Sequence, residues 1–289
     1  MANGEGKLAV MFPGQGVGDE RSRELVRELR PDLLTLAEGL VGDDPFARLA
    51  DGTRFAQPAV YCAALAGYER LGRPRAELFA GHSLGEVAAL VAAGAISETD
   101  GLRIVVERGR LMQEAAEEGE PGGMLALGVD RATAHAFAGR HRLAVANENS
   151  PRQLVLSGGE DELDQALAEA RESGLRAKRL AVAGPFHSPA MGIAVGPFRE
   201  LLARIEFRRP AAKVISGVTA APVGADARGS LAAALTSPVR WVEVLERLHA
   251  EGVRRFVDVG PGRVLAGLVK QTLEGVATAT VPPLEAAHV

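Results

Sequence analysis

A five-residue segment, Gly81-His82-Ser83-Leu84-Gly85, constrains the fold of this chain more than any other feature. It follows a short apolar run at 78–81 and precedes an apolar, alanine-rich run at 87–95, so it predicts a strand, a sharp turn and a buried helix. Glycines at both ends remove side chains that would collide across such a turn. The turn lifts the hydroxyl of Ser83 out of the backbone, and the Leu84 N–H and the helix N-terminus then face any oxyanion formed beside it. Ser83 is therefore a candidate nucleophile.

Strand-like and helix-like segments alternate on both sides of this turn, which predicts a parallel sheet covered by helices. The further strands are predicted at 8–12, 213–216 and 255–259. The helices are predicted at 19–40, 58–71, 100–118, 197–205 and 241–251.

The pattern changes in the middle of the chain, where the order becomes β-α-β-β-α-β. Strands are predicted there at 124–129, 143–146, 153–157 and 177–182, with helices at 131–139 and 160–173. This order is the split βαβ arrangement of a ferredoxin-like unit. We interpret it as a small subdomain inserted into the larger one.

Composition excludes several classes of protein. The 289 residues have a net charge of −4 and only 4% aromatic side chains, so nothing indicates binding to nucleic acid or to a membrane surface. The single cysteine, Cys62, lies in an apolar run, which excludes an internal disulfide and a thiol-based metal site. No apolar run has the roughly 18 residues of a membrane helix, and no signal peptide is visible. We expect a cytoplasmic protein without a metal or cofactor.

A nucleophilic serine needs a base, and His187 is the best placed of the six histidines. It stands in Gly184-Pro185-Phe186-His187-Ser188-Pro189, where glycine and proline make a rigid loop. His82 adjoins the serine, but its side chain should diverge along the turn and pack or form a hydrogen bond there. Gln15 follows the first strand, so it can reach a site at the carboxyl ends of the strands.

Six motifs together carry a resemblance that covers nearly the whole chain, from Leu8 to about Thr280. They occur at 12–16, 81–86, 108–115, 147–151, 185–188 and 258–262. The chain resembles malonyl-CoA:acyl carrier protein transacylases and the related acyltransferase domains of polyketide synthases. The resemblance implies an α/β fold, with an α/β-hydrolase-like catalytic domain of parallel sheet formed by 1–122 and 186–289. The ferredoxin-like inserted subdomain then comprises 123–185.

The resemblance also implies roles for individual residues. Ser83 is the nucleophile, and His187 is its base, oriented by a backbone carbonyl in the segment 234–237. Gln15 and Leu84 form the oxyanion hole. Arg108 binds the free carboxylate of a malonyl group, because a planar guanidinium holds a carboxylate with two parallel hydrogen bonds. The remaining substrate-binding residues are Phe186, His82 and Asn147.

The implied partners are malonyl-CoA and an acyl carrier protein, and nothing in the sequence demands more than a monomer. Phe186 before the histidine goes with malonyl rather than methylmalonyl transfer. A basic patch in the inserted subdomain is a candidate docking surface for the acidic carrier, formed by Arg171, Arg176, Lys178 and Arg179. The chain departs from the family after Gly16, where 17–20 read Val-Gly-Asp-Glu and the entrance loop is expected to be shorter.

Three other functions use the same residues differently. A proofreading acyl hydrolase on this scaffold would favour water over the carrier thiol, and a non-catalytic module would only bind the carrier. An ordinary Ser-His-Asp esterase is disfavoured, because it needs a histidine soon after the last strand and the next one after Asp258 is His288. The choice between fatty acid and polyketide synthesis stays open.

Overall fold

The computed structural model describes residues 6–16 and 19–282, and these form two sheets. The strands are β1 (Lys7–Phe12), β2 (Leu78–Gly81), β3 (Gly122–Leu127), β4 (Ala144–Ser150), β5 (Gln153–Gly159), β6 (Ala177–Arg179), β7 (Lys213–Ile215), β8 (Val253–Asp258) and β9 (Ala277–Thr280). The first helices are α1 (Glu20–Leu29), α2 (Pro31–Val41), α3 (Thr53–Arg70), α4 (Gly85–Ala92), α5 (Glu98–Glu118) and α6 (Arg131–His141). The others are α7 (Glu160–Glu172), α8 (Gly192–Ala203), α9 (Arg228–Ala233), α10 (Trp241–Ala250) and α11 (Val264–Thr272).

The large sheet has the order β7-β2-β1-β8-β9, and all its neighbouring strands run parallel. Side chains alternate along β1, so Val10 and Phe12 enter one hydrophobic cluster while Ala9 and Met11 enter the other. Helices α3, α4 and α5 pack on the first face, and α10 and α11 cover the second. Since both faces of the central strands are buried, β2 is wholly apolar and β1 is apolar after Lys7, as is typical of parallel sheets.

The small sheet has the order β4-β5-β3-β6 and is antiparallel throughout. With α6 and α7 after its first and third strands, this is the predicted ferredoxin-like arrangement. One face of the sheet packs on these two helices through residues such as Leu125 and Leu156. The other face looks toward the large sheet. The predicted fold class is confirmed: an α/β protein with a parallel sheet and a ferredoxin-like insertion.

Several elements differ from the sequence prediction. The helical pattern over 19–40 forms two helices, because Pro31 starts a new helix at its first position and Arg30 lies between them. Helix α3 begins at Thr53 rather than at Pro58, which lies within it. Helices α9 and α11 and strand β9 are additional. We expect a loose tail after Thr280, where two prolines follow at 282 and 283; of this tail only residues 281 and 282 are described, and positions 17 and 18 of the altered loop also lie outside the described residues.

Candidate active site

The turn between β2 and α4 is as sharp as the glycine pattern predicts. Ser83 has a φ of 51°, in the left-handed region that side chains rarely adopt. A Cβ on Gly81 would lie 2.0 Å from the carbonyl carbon of Gly85, and one on Gly85 would lie 2.2 Å from the carbonyl oxygen of Phe12. Both glycines therefore allow α4 to pack directly against the ends of β1 and β2. Strand pairing and this packing hold the strained serine in place.

The hydroxyl of Ser83 is hydrogen-bonded to His187 over 2.8 Å, from Oγ to Nε2, although 104 positions separate the two residues. The other ring nitrogen of His187, Nδ1, lies 2.8 Å from the carbonyl oxygen of Ala234 and 3.2 Å from that of Ser237. A carbonyl only accepts, so Nδ1 carries the proton and donates it. Nε2 is then the acceptor, and Ser83 donates to it. The geometry agrees with a backbone carbonyl, rather than an acidic side chain, orienting the imidazole.

Electrostatics keep this imidazole neutral. Burial, and after it the positive charge of Arg108, lower the pKa of His187 to about 3. At neutral pH the ring is therefore unprotonated at Nε2 and ready to accept a proton. Positive φ values occur at both Ser83 and His187, so the two partners are each held in an uncommon backbone conformation.

Arg108 lies on α5 and is only 3% exposed. Its Nη1 donates to Gln57 Oε1 over 2.7 Å, and its Nη2 donates to Ser83 Oγ over 3.1 Å. Burial lowers the pKa of Arg108 to about 10, against the opposing effect of the Glu86 carboxylate, so the guanidinium is still charged at neutral pH. Among the described residues, no carboxylate lies within ion-pair distance of it. A buried, unpaired cation beside the nucleophile is a site for an anion.

A chain of hydrogen bonds links Arg108 to the loop after β1. Gln57 donates from Nε2 to Thr53 Oγ1 over 2.9 Å, and Thr53 donates from Oγ1 to Gln15 Oε1 over 2.7 Å. Gln57 and Thr53 are each 1% exposed, and both lie in the first turns of α3. The loop also packs against the turn between β2 and α4, since a Cβ on Gly14 would lie 2.8 Å from the carbonyl oxygen of His82. The position of Gln15 thus depends on the same network as that of the guanidinium.

The two predicted donors of the oxyanion hole are the N–H groups of Leu84 and Gln15. Leu84 is the N-cap residue of α4. Neither its N–H nor that of Gln15 has a hydrogen-bond acceptor within the described part of the chain. Both residues line the same cavity as Ser83. Free N–H groups next to a nucleophile at a helix N-terminus are suited to stabilising a developing negative charge.

The cavity around Ser83 has a volume of about 490 Å³ and lies between the small sheet and the segments that follow β1 and β2 of the large sheet. Phe186 forms a buried part of its wall. Asn147 lines it from β4, and its buried Oδ1 has no hydrogen-bond partner among the described residues. His82 also lines it, but its Nε2 is bonded to Asn149 Oδ1 over 2.8 Å and its ring lies edge-on against Trp241. Asn147 thus lines the cavity with a buried, unpaired amide oxygen, whereas the His82 ring is fixed in the wall by its contacts with Asn149 and Trp241.

The four basic residues of the candidate docking patch do not share one face. In β6, Lys178 pairs with Ala126 of β3, whereas Arg179 pairs with the core residue Leu125. Arg179 therefore lies on the helix side of the sheet, where it forms ion pairs with Glu160 and Asp164. Arg171 is exposed in the last turn of α7. The open face carries only two of the four, Arg176 and Lys178, both exposed.

Sequence reasoning missed Thr53, Gln57 and Glu86. Glu86 is 2% exposed, and its carboxylate accepts from the Gly217 N–H over 2.8 Å and from Ser230 Oγ over 3.3 Å. The sequence signal that could have pointed to Gln57 is its position directly before Pro58, as a polar residue at the start of an otherwise apolar run.

Within residues 6–16 and 19–282, no cluster of three or more His, Cys, Asp or Glu side chains is suited to a metal ion. No helix in these ranges is long and apolar enough to cross a membrane.

Comparison with known proteins supports the same reading. The acyl transferase domain family matches residues 24–286. The chain is 36% identical to a malonyl CoA-acyl carrier protein transacylase of Bacillus subtilis, over 92% of this chain and 90% of that protein. It is also 36% identical to the polyketide biosynthesis protein ThaF of Burkholderia thailandensis, but it spans only 25% of that longer protein.

Solved structures agree with this assignment. A malonyl CoA-acyl carrier protein transacylase from Coxiella burnetii superposes with a TM-score of 0.87 at 31% identity, covering 96% of this chain and 94% of that one. A malonyl-transacylase in complex with its type II polyketide acyl-carrier protein superposes with a TM-score of 0.88 at 32% identity, covering 96% of each chain. The chain belongs to the acyl transferase domain family and is an acyltransferase.

Proposed function

We propose that this enzyme transfers a malonyl group from malonyl-CoA to the phosphopantetheine thiol of an acyl carrier protein. The observation that carries the proposal is the buried guanidinium of Arg108, 3.1 Å from Ser83 Oγ and without a carboxylate partner among the described residues. A donor with a free carboxylate supplies the missing anion and places its thioester at the nucleophile. An uncharged acyl chain would leave the cation buried and unpaired.

In the first half-reaction, Ser83 Oγ attacks the thioester carbonyl while His187 Nε2 accepts the hydroxyl proton. The carbonyl oxygen becomes an oxyanion beside the N–H groups of Leu84 and Gln15. The C–S bond then breaks, His187 returns its proton to the departing sulfur, and coenzyme A leaves. The product is a malonyl ester of Ser83.

The second half-reaction reverses the roles of the two thiols. The carrier's thiol gives its proton to His187 as its sulfur attacks the ester carbonyl. The C–O bond to Ser83 breaks, and the proton on His187 passes to the serine oxygen. Neutral His187 and free Ser83 are restored, so the cycle is ping-pong and balanced in protons.

The wall formed by Phe186 supports a preference for malonyl over methylmalonyl groups, because a bulky ring leaves less room for an added methyl. Such packing discriminates by about 1–3 kcal/mol. We further propose a monomer in the cytoplasm, on the sequence arguments given above.

Mass spectrometry of the intact protein tests the function. After mixing with malonyl-CoA, the protein should gain one malonyl group, and adding a holo-carrier protein should move that group to the carrier. Ser83→Ala should gain none. A malonyl ester that is lost to water as fast with the carrier as without it would identify a hydrolase, and the absence of any ester would leave a binding module.

A further inference from the structure

We propose that a second pocket, beside the mouth of the active-site cavity, binds the phosphate groups at the nucleotide end of coenzyme A. The inference rests on the proposed function. This outer pocket has a volume of about 460 Å³ and lies between the small sheet and the end of α11. Gln153 and Leu180 line both it and the cavity around Ser83, so the two spaces meet at these residues.

Strand register explains the chemistry of the outer pocket. Lys178 pairs with Ala126 across β6 and β3, and Ala126 pairs with Val155 of β5, so these side chains share the open face of the sheet. Leu180 and Arg176 lie two positions from Lys178 in either direction and belong to the same face. Moving outward from Ser83, this face therefore changes from apolar at Leu180 to basic at Lys178 and Arg176.

The outer pocket has an unbalanced positive charge. Arg152, Arg176 and Lys178 line it and are exposed, and none of them forms an ion pair within the described residues. No carboxylate occurs among its described lining residues, and the rest of its polar lining is Gln153 and Gln271. Arg179 differs, because it faces the other side and pairs with Glu160 and Asp164. Three free cations around one concavity are suited to a compact, multiply charged anion.

The order of groups along coenzyme A matches the order of these surfaces. With the acyl group at Ser83 and Arg108, the pantetheine arm follows the largely apolar cavity wall past Val155 and Leu180. The diphosphate and the 3′-phosphate come next and reach the basic face. The carrier's own arm ends in one phosphodiester, and a carrier helix would need an open surface rather than a pocket. These two features favour the coenzyme over the carrier as the occupant.

Binding of coenzyme A without an acyl group tests the proposal apart from the chemistry. Calorimetry on the wild-type protein should show affinity falling from coenzyme A to 3′-dephospho-coenzyme A to pantetheine. The double variant Arg176→Ala/Lys178→Ala should bind coenzyme A roughly three- to thirtyfold more weakly, since exposed charge pairs contribute modestly. Its affinity for pantetheine should not change. Arg171→Ala is the matched control and should bind all three ligands like the wild type.

Equal affinity of wild-type protein for coenzyme A and pantetheine would overturn the proposal without any variant. An equal loss of affinity for coenzyme A and for pantetheine in the double variant would also overturn it, because it would show that the substitutions disturb the active-site cavity. If the double variant had a raised KM for the holo-carrier but an unchanged affinity for coenzyme A, the pocket would belong to the carrier instead. Failure of the proposed function is seen separately, as the absence of a malonyl ester on the wild-type Ser83.

Discussion

Ser83 Oγ makes two hydrogen bonds of opposite sense, donating to His187 Nε2 at 2.8 Å and accepting from Arg108 Nη2 at 3.1 Å. The imidazole can remove the proton, and the guanidinium stabilises the charge that removal leaves. The same guanidinium lowers the pKa of His187, so an anion bound to it raises the basicity of the imidazole. A malonyl carboxylate would thus improve the base as well as position the substrate.

Arg108→Ala tests this coupling. Transfer from malonyl-CoA should lose at least about a hundredfold in kcat/KM, because a buried charge pair loses one partner. The pKa of His187 should rise when its cationic neighbour is removed. The acid limb of acylation, which lies near the His187 pKa because only the neutral ring accepts a proton, should therefore move to higher pH.

The limb is measured with acetyl-CoA, which does not depend on the guanidinium for a carboxylate, in single turnovers between about pH 2.5 and pH 8, a range that includes the wild-type pKa of about 3. Arg110→Ala is the control, because Arg110 lies on the same helix but pairs with Glu107 and Glu114. An unchanged acid limb in Arg108→Ala would contradict the coupling.

Thr53→Val tests the network between Arg108 and Gln15. The substitution keeps the shape and removes the hydroxyl that donates to Gln15 and accepts from Gln57. We expect kcat/KM to fall about tenfold, the effect of one buried hydrogen-bonded position. Acetyl and malonyl donors should lose alike if Gln15 serves the carbonyl common to both. Thr53→Ser should restore activity, and a loss confined to KM for malonyl-CoA would restrict the network to the carboxylate.

Some of these residues could be predicted and others could not. Ser83 and His187 stand in turns whose glycines and prolines are visible in the sequence, and Arg108 was implied by the family motif around it. Thr53 carries no local signal, and Gln57 carries only that of a polar residue before an apolar run, because their function comes from buried hydrogen bonds to residues that are distant in the chain. Glu86 was likewise visible only as one charge in an apolar helix.

At the scale of elements, the helix of the nucleophile is tied to the segment that holds the base. Glu86 in α4 accepts from Gly217 after β7 and from Ser230 in α9, and the chain then leads to the carbonyl of Ala234. The carboxylate is almost fully buried, and burial raises its pKa. Its hydrogen bonds therefore join the two halves of the catalytic pair through the main chain.

Glu86→Ala should lower the free energy of unfolding by about 1–3 kcal/mol, because it leaves the Gly217 N–H buried without an acceptor. Glu86→Gln keeps an acceptor of the same length and should recover most of that loss. Urea unfolding followed by circular dichroism measures both. Equal stability of the alanine variant and the wild type would show that these contacts contribute nothing net.

The start of α3 and the presence of strand β9 could not be predicted from the sequence pattern. The predicted start of α3 at Pro58 followed the start of the apolar run, but the helix already begins at Thr53 and contains Pro58. That difference of five residues hid Thr53 and Gln57. Strand β9 has an exposed edge and only small side chains, Ala277 to Thr280, so its alternation carried little signal.

At the scale of the molecule, contacts join the small sheet to α10 and to the segment that leads into it. The main chain of Val239 bonds to Ala146 and Glu148 of β4. The Glu148 carboxylate is buried and forms an ion pair with Arg131 Nε at 3.1 Å, while Arg131 Nη1 also pairs with Glu243 of α10 at 3.3 Å. Since Ser237 is two residues from Val239, this junction also positions a carbonyl that His187 uses.

Glu148→Ala should destabilise the protein by about 0.5–1 kcal/mol and lower kcat, because it removes the ion pair that the exposed Arg131 forms with this carboxylate and loosens the junction. Thermal unfolding and steady-state transfer measure the two effects. Glu172→Ala, at an exposed site of the same subdomain, should match the wild type in both. Normal kcat with a reduced melting temperature would separate the junction from catalysis.

The alternation of apolar and helical segments predicted both sheets, but not the order of strands in the large one. Nothing in the sequences of β1, β2 and β8 specifies which strands are neighbours, and the pairs are formed by residues far apart in the chain, such as Ala9 with Leu78 and Lys7 with Val253. The small sheet was easier, because its β-α-β-β-α-β order is local and has few alternatives. The predicted boundaries at 122–123 and 185–186 stay predictions.

One close contact at the base of the small sheet has a practical consequence. A Cβ on Gly122 would lie 3.1 Å from Cγ of Pro185, so the strand that leaves the large sheet's side and the loop that returns to it run next to each other. Replacing everything between them therefore changes the closure entropy of the chain only slightly. The segment between Gly122 and Pro185 is therefore suited to exchange as a unit. A chimera carrying a relative's segment would have a different outer wall of the active-site cavity and would retain Ser83, His187 and Arg108.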